Sequence, residues 1–173
     1  MKSEIAIPEA PVARVSAPFW ATTVATFFGI GRLHPGPGTW ASALSALLWL
    51  GMGSLIAENL HTAVLASCIV LAIALGIPAA TLVARASGLK DPGFIVIDEV
   101  AGQWIALLFA PLSWKTLLAA FILFRSLDIV KPPPVRQLES LPEGTGIVID
   151  DVAAGAYALL VMQLALHFRL LLP

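Results

Sequence analysis

The stretch VAGQWIALLFAPLSWKTLLAAFILF, residues 100–124, decides the fold, because it reads either as one kinked apolar helix or as two short arms joined by a turn. Pro111, Ser113, Trp114 and Lys115 lie at its middle, a turn signal that carries an interfacial aromatic and a charge. The charges in the rest of the chain settle the choice. If the stretch is a hairpin, the links at 1–40, 85–99 and 125–151 share one side of a membrane. They collect Lys2, Arg14, Arg32, Arg85, Lys90, Arg125, Lys131 and Arg136, and leave only Lys115 and Arg169 opposite. Eight basic residues against two is a strong positive-inside pattern, whereas a single crossing moves the Arg125, Lys131 and Arg136 cluster to the far side and weakens it. A hairpin is therefore expected, its arms borrowing flanking residues to cover 95–127.

The composition demands a membrane setting. Of 173 residues, 58% are hydrophobic and 12% charged, where a soluble domain carries about 25% charged residues. The mean hydropathy is +0.90. Disorder is excluded, and a net charge of -1 excludes a basic nucleic-acid-binding face. Outside the hairpin, Ala41–Ala57 and Ala63–Ala84 give 17 and 22 residues, near the about 20 needed to span a bilayer. A further run starts at Val152 and reaches about Leu172. Phe19–Ile30 is too short to cross and suits the interface. The expected fold is an all-α, polytopic membrane helix bundle with about four to five membrane-embedded helical segments. Residues 19–173 form one domain, and 1–18 form a cytosolic lead-in that lacks the pattern of a secretory signal. The lone cysteine, Cys68, cannot form a disulfide within the chain.

Five of the eleven acids occur as Asp98-Glu99, Asp128 and Asp150-Asp151, each where an apolar run meets a link on the same side. Carboxylates at a membrane boundary are costly unless paired or bound to a cation. Asp98, Glu99, Asp150 and Asp151 can also be read as acids capping helix N-termini. Asp128 differs, because Pro132-Pro133-Pro134 ends its helix close behind it and places the acid near a C-terminus, where the helix dipole disfavours an anion. Arg125 or Lys131, three residues to either side, can pair with it.

An internal echo bears on the same residues. The run Ile95 to Ala101, IVIDEVA, returns as IVIDDVA at Ile147 to Ala153, an offset of 52 residues that sets Asp98-Glu99 against Asp150-Asp151. Two helices donating acids to one centre is the reading this suggests. Neighbours on a helix point about 100° apart, so one acid of each pair is expected to face the centre and the other to support it. All candidate ligands are oxygen donors, and His34, His61 and His167 are scattered, so Mg²⁺ or Mn²⁺ suits the set better than zinc. Arg125, Lys131 and Arg136 beside the acids suit a phosphate. So do Gly38 and Thr39 in Pro35-Gly36-Pro37-Gly38-Thr39, with Thr39 as the expected cap of a helix starting near Ala41.

These blocks resemble the phosphatidylglycerophosphatase A family of bacterial membrane lipid phosphatases. The likeness is carried by Gly29-Ile30-Gly31 with Pro37-Gly38-Thr39, by Ile97-Asp98-Glu99-Val100 with Gly102 and Trp104-Ile105, and by Phe124-Arg125 through Asp128 to Lys131-Pro132 and Pro134-Val135-Arg136. It continues through Gly146-Ile147, Ile149-Asp150-Asp151 and Ala154-Gly155. Glu143-Gly144-Thr145 stands where family members often carry a His-Gly-Gly run. Pro133 replaces a bulkier residue. The resemblance implies Mg²⁺-dependent hydrolysis of phosphatidylglycerophosphate to phosphatidylglycerol and phosphate, at the cytoplasmic face of a bacterial inner membrane. Metal-binding or catalytic roles would fall to Asp98, Glu99, Asp128, Asp150 and Asp151. A cation or proton transporter subunit would use the same carboxylates as a relay, but its acids should lie at differing depths. In a structural subunit they would only cap helices.

Overall fold

The apolar runs become helices in a computed structural model, which describes residues 16–170. They are α1 (Phe19–Ala25), α2 (Pro37–Gly53), α3 (His61–Ser87), α4 (Ile97–Ala106), α5 (Trp114–Val130), α6 (Val135–Leu138) and α7 (Glu143–His167), with no strand among the described residues. The lead-in, with Lys2 and Arg14, lies almost wholly outside the described residues, as does the end of the last apolar run.

The hairpin is present. α4 ends at Ala106 and α5 begins at Trp114. Ser113 fixes the second start: its hydroxyl accepts from the Thr116 amide, and the Thr116 hydroxyl reaches back to the Ser113 amide, both at 3.3 Å. At ten residues, α4 is about 15 Å long, half of the about 30 Å hydrocarbon thickness. Among the described residues, two segments are long and apolar enough to cross a membrane, Glu58–Ser87 and Glu143–His167. Their outward side chains, such as Val70, Leu71 and Leu75 on α3 and Leu160 and Leu164 on α7, are large, apolar and exposed. Lipid, not water, suits that surface.

Two expected boundaries move. α2 starts at Pro37 rather than near Ala41, with Gly36 at the N-cap in a left-handed conformation (φ 68°) and proline in the first turn. Thr39 therefore lies inside the helix, whose cap carries no side-chain hydrogen bond. α7 starts at Glu143, not Val152, because its first turn docks on α3: the Gly144 amide donates to Thr81 Oγ1 at 3.2 Å and Glu143 pairs with Arg85 at 2.7 Å. A Cβ on Gly144 would stand 2.3 Å from the Ile77 carbonyl oxygen. Packing here overrides the low helix propensity of the glycines. Asp150 and Asp151 consequently lie two turns inside α7, and cannot cap it.

α7 is the central helix, packed on α3, α4, α5 and α6, while α2 lies on α4 and α5. Its crossing with α4 is made of backbone. A Cβ on Gly155 would fall 2.5 Å from the Gly102 carbonyl oxygen, and one on Gly102 would fall 2.7 Å from the Asp151 carbonyl oxygen. Small residues let membrane helices approach this closely.

Candidate active site

The glycine crossing positions the acids. One turn before Gly102 on α4 is Asp98, and one turn before Gly155 on α7 is Asp151. Both helices start at the same end of the bundle, so the two carboxylates arrive side by side. Glu99 joins them: one carboxylate oxygen from each of Asp98, Glu99 and Asp151 lies within 4.8 Å of the others. Asp98 and Asp151 are buried, and Asp98 Oδ1, Glu99 Oε2 and Asp151 Oδ2 have no hydrogen-bond partner.

Three close anions, two of them buried, repel one another and lose hydration together, which is a cost of several kcal/mol per buried charge unless a cation or proton compensates it. The donor set fits a hard divalent cation, which binds carboxylate oxygens and keeps some waters. Asp128 stands beside the three, near enough for its charge to act on both Glu99 and Asp151. Arg125 ties it in: Nη1 donates to Asp128 Oδ2 at 2.6 Å and lies 3.8 Å from Glu99 Oε1. The Arg125 Nε is buried without a partner, a donor left for another anion. Gly38 makes this proximity possible, because a Cβ there would fall 1.9 Å from Glu99 Oε1 and 3.2 Å from Arg125 Nη1.

Asp150 faces elsewhere. Its Oδ2 accepts from Lys131 Nζ at 2.6 Å, and Lys131 also donates to Glu139. Burial works against the ammonium charge of Lys131, but its hydrogen bonds to Asp150 and Glu139 outweigh it and hold the pKa above the ordinary lysine value. Both acids of the first pair thus face the centre, and only Asp151 of the second does. Among the other expected phosphate contacts, Thr39 and Arg136 are exposed, and Arg136 makes no ion pair among the described residues.

Two side chains at this end escaped sequence reasoning. Glu139 is the second acceptor for Lys131, eight residues on at the end of the short α6, in a stretch that carries no periodic signal. Gln103 is fully buried one turn beyond Glu99, with both amide atoms unpartnered. A polar residue four positions after an acid in an apolar run was the signal available for it.

The family model for Phosphatidylglycerophosphatase A matches residues 23–166. A Haemophilus influenzae protein named Phosphatidylglycerophosphatase A is 41% identical over 141 residues, covering 80% of this chain and 84% of the relative. A Bacteroides thetaiotaomicron protein named Putative phosphatidylinositol-3-phosphatase is 35% identical over 150 residues, or 85% of this chain and 94% of the relative. An Escherichia coli protein named Phosphatidylglycerophosphatase A is 35% identical over 134 residues, covering 76% and 75%. No solved structure matches the chain significantly.

Proposed function

The chain belongs to the phosphatidylglycerophosphatase A family, and from that premise we propose that it hydrolyses phosphatidylglycerophosphate to phosphatidylglycerol and inorganic phosphate, at the cytoplasmic face of a bacterial inner membrane. Mg²⁺, or Mn²⁺ in its place, is the proposed cofactor. The observation that carries this reading is the meeting of three carboxylates from α4 and α7, each with an unpartnered oxygen, and a buried, unpartnered arginine nitrogen at the same end.

Asp98, Glu99 and Asp151 would hold the cation, which supplies Lewis-acid charge for the terminal phosphate. Arg125 offers its free Nε to a phosphoryl oxygen and keeps Asp128 oriented. Asp128, outside the three-carboxylate group, aligns a water opposite the leaving oxygen and accepts its proton. The water oxygen bonds to phosphorus, the P–O bond to glycerol breaks, and the freed glycerol oxygen takes up a proton. Asp150 and Lys131 act at one remove by fixing the turn of α7 that carries Asp151. The apolar outer face leaves the acyl chains in the bilayer, so substrate arrives laterally.

Phosphate release from the purified protein in detergent, with phosphatidylglycerophosphate and with or without Mg²⁺, tests both halves. Release that requires the ion is expected. No release under any ion contradicts the substrate, and full release in chelator contradicts the cofactor.

A further inference from the structure

Two cavities open at the carboxylate end, and their linings differ. One, of about 170 Å³, is lined by Asp91, Glu139, Glu143 and Asp150 with Lys90 as its only base. The other, of about 570 Å³, lies between the turn at 30–37 and the segment leading into α4, and is lined by Gly31, Arg32, His34, Pro37, Gly93 and Phe94 without any acid. Three of the acids in the first are already paired, Glu143 with Arg85 and Glu139 and Asp150 with Lys131, whereas the second offers an arginine, unpaired among the described residues, that attracts an anion.

Both walls of the basic cavity lead along the chain to the carboxylate centre. Pro37 precedes Gly38, which abuts Glu99, and Phe94 precedes Asp98 by one turn's length of chain. Its two walls are stitched together: a Cβ on Gly31 would fall 2.0 Å from the Phe94 carbonyl oxygen, and the Val96 amide donates to the Ala25 carbonyl at 2.8 Å. Arg32 makes no ion pair among the described residues. His34 Nδ1 lies 3.1 Å from the Arg32 carbonyl oxygen, so Nδ1–H donates there and Nε2 is left to accept. Phe28, Leu33 and Trp40, close in sequence to the lining residues, are exposed. Aromatic and apolar side chains beside basic ones are the mark of headgroup depth in a membrane.

We propose that this cavity is a subsite for the inner phosphodiester of the substrate, with Arg32 as its charged donor and His34 Nε2 accepting from a hydroxyl of the headgroup. The proposal rests on the phosphatase reading above. A substrate then spans two anion sites, its terminal monoester on the carboxylate-bound cation and its diester on Arg32, joined by the polyol between. Such a site selects lipids whose phosphomonoester sits on a diester-linked headgroup over lipids that carry only a monoester. The printed names of the relatives describe two headgroups of that one kind, a phosphorylated glycerol and a phosphorylated inositol.

The test uses the full chain in neutral detergent micelles, so that no other anionic lipid supplies a diester. Arg32→Ala is expected to raise KM for phosphatidylglycerophosphate about ten- to a hundredfold, with a far smaller fall in kcat. Phosphatidylglycerol, which keeps the diester and lacks the monoester, should weaken as an inhibitor by the same factor. Inorganic phosphate, which reaches only the carboxylate end, should inhibit as before. Arg32→Gln gives the same split if the alanine variant is unstable, Arg32→Lys restores part of the affinity, and His34→Ala raises KM by less than Arg32→Ala. An unchanged KM, or inhibition by phosphatidylglycerol and inorganic phosphate weakened alike, overturns the subsite. A wild type that releases no phosphate overturns the parent reading instead.

Discussion

The two acid pairs are near copies in sequence and differ in what they do. At the start of α4, Asp98 and Glu99 both turn toward the centre. Inside α7 only Asp151 does, and Asp150 is held by Lys131 on the other side. The backbone contact explains the difference. The echo aligns Asp98 with Asp150 at an offset of 52, whereas the crossing aligns Gly102 with Gly155 at an offset of 155 - 102 = 53. One residue is about 100° of helix rotation, enough to exchange which acid of the second pair looks inward. Packing, not local repetition, sets the register.

Substitutions can break this contrast at several strengths. Asp151→Asn and Asp98→Asn should lower kcat by about a hundred- to a thousandfold or more, read as phosphate release. Without metal the same variants should melt at a higher temperature than wild type, because a repelling charge is gone. A normal rate in either variant removes that carboxylate from the centre. Gly155→Ala should come next, because its methyl meets the Gly102 carbonyl and forces α4 and α7 apart. About 1–3 kcal/mol of stability is expected to be lost on thermal melting, together with most of the activity. Stability retained with activity lost would instead mean that the helices yield locally and only the acids move.

Asp150→Asn should have the smaller effect, about tenfold on kcat, and about 1 kcal/mol on stability, since Lys131 keeps Glu139 as a partner. The pH dependence sharpens this. A lysine whose pKa is raised on folding contributes stability that is fully present below its unfolded value of about 10.4, and loses it as pH rises through the folded value. Wild type minus Asp150→Asn stability should therefore be flat from about pH 6 to 9 and shrink only in strong alkali, by melting temperature against pH.

Much of this was legible in the chain. The hairpin followed from basic residues counted on either side of Pro111, because charge asymmetry across a membrane is a long-range signal written locally. The acids stood out for the same reason, as rare charges in apolar surroundings. The start of α7 was not legible: Glu143-Gly144-Thr145-Gly146 reads as a link, and becomes helix only because α3 offers Thr81 and Arg85 to receive it. Nor was the choice between Asp150 and Asp151, which depends on two glycines distant in sequence meeting face to face. The glycines were visible as residues, but their partnership was not.

The central claim is that α4 and α7 share one cation through Asp98, Glu99 and Asp151. Mn²⁺ binding, followed by electron paramagnetic resonance on purified wild type, Asp150→Asn and Asp151→Asn, tests it most directly. The account predicts that wild type and Asp150→Asn bind the ion with similar affinity while Asp151→Asn loses it. Loss in Asp150→Asn with retention in Asp151→Asn would contradict it.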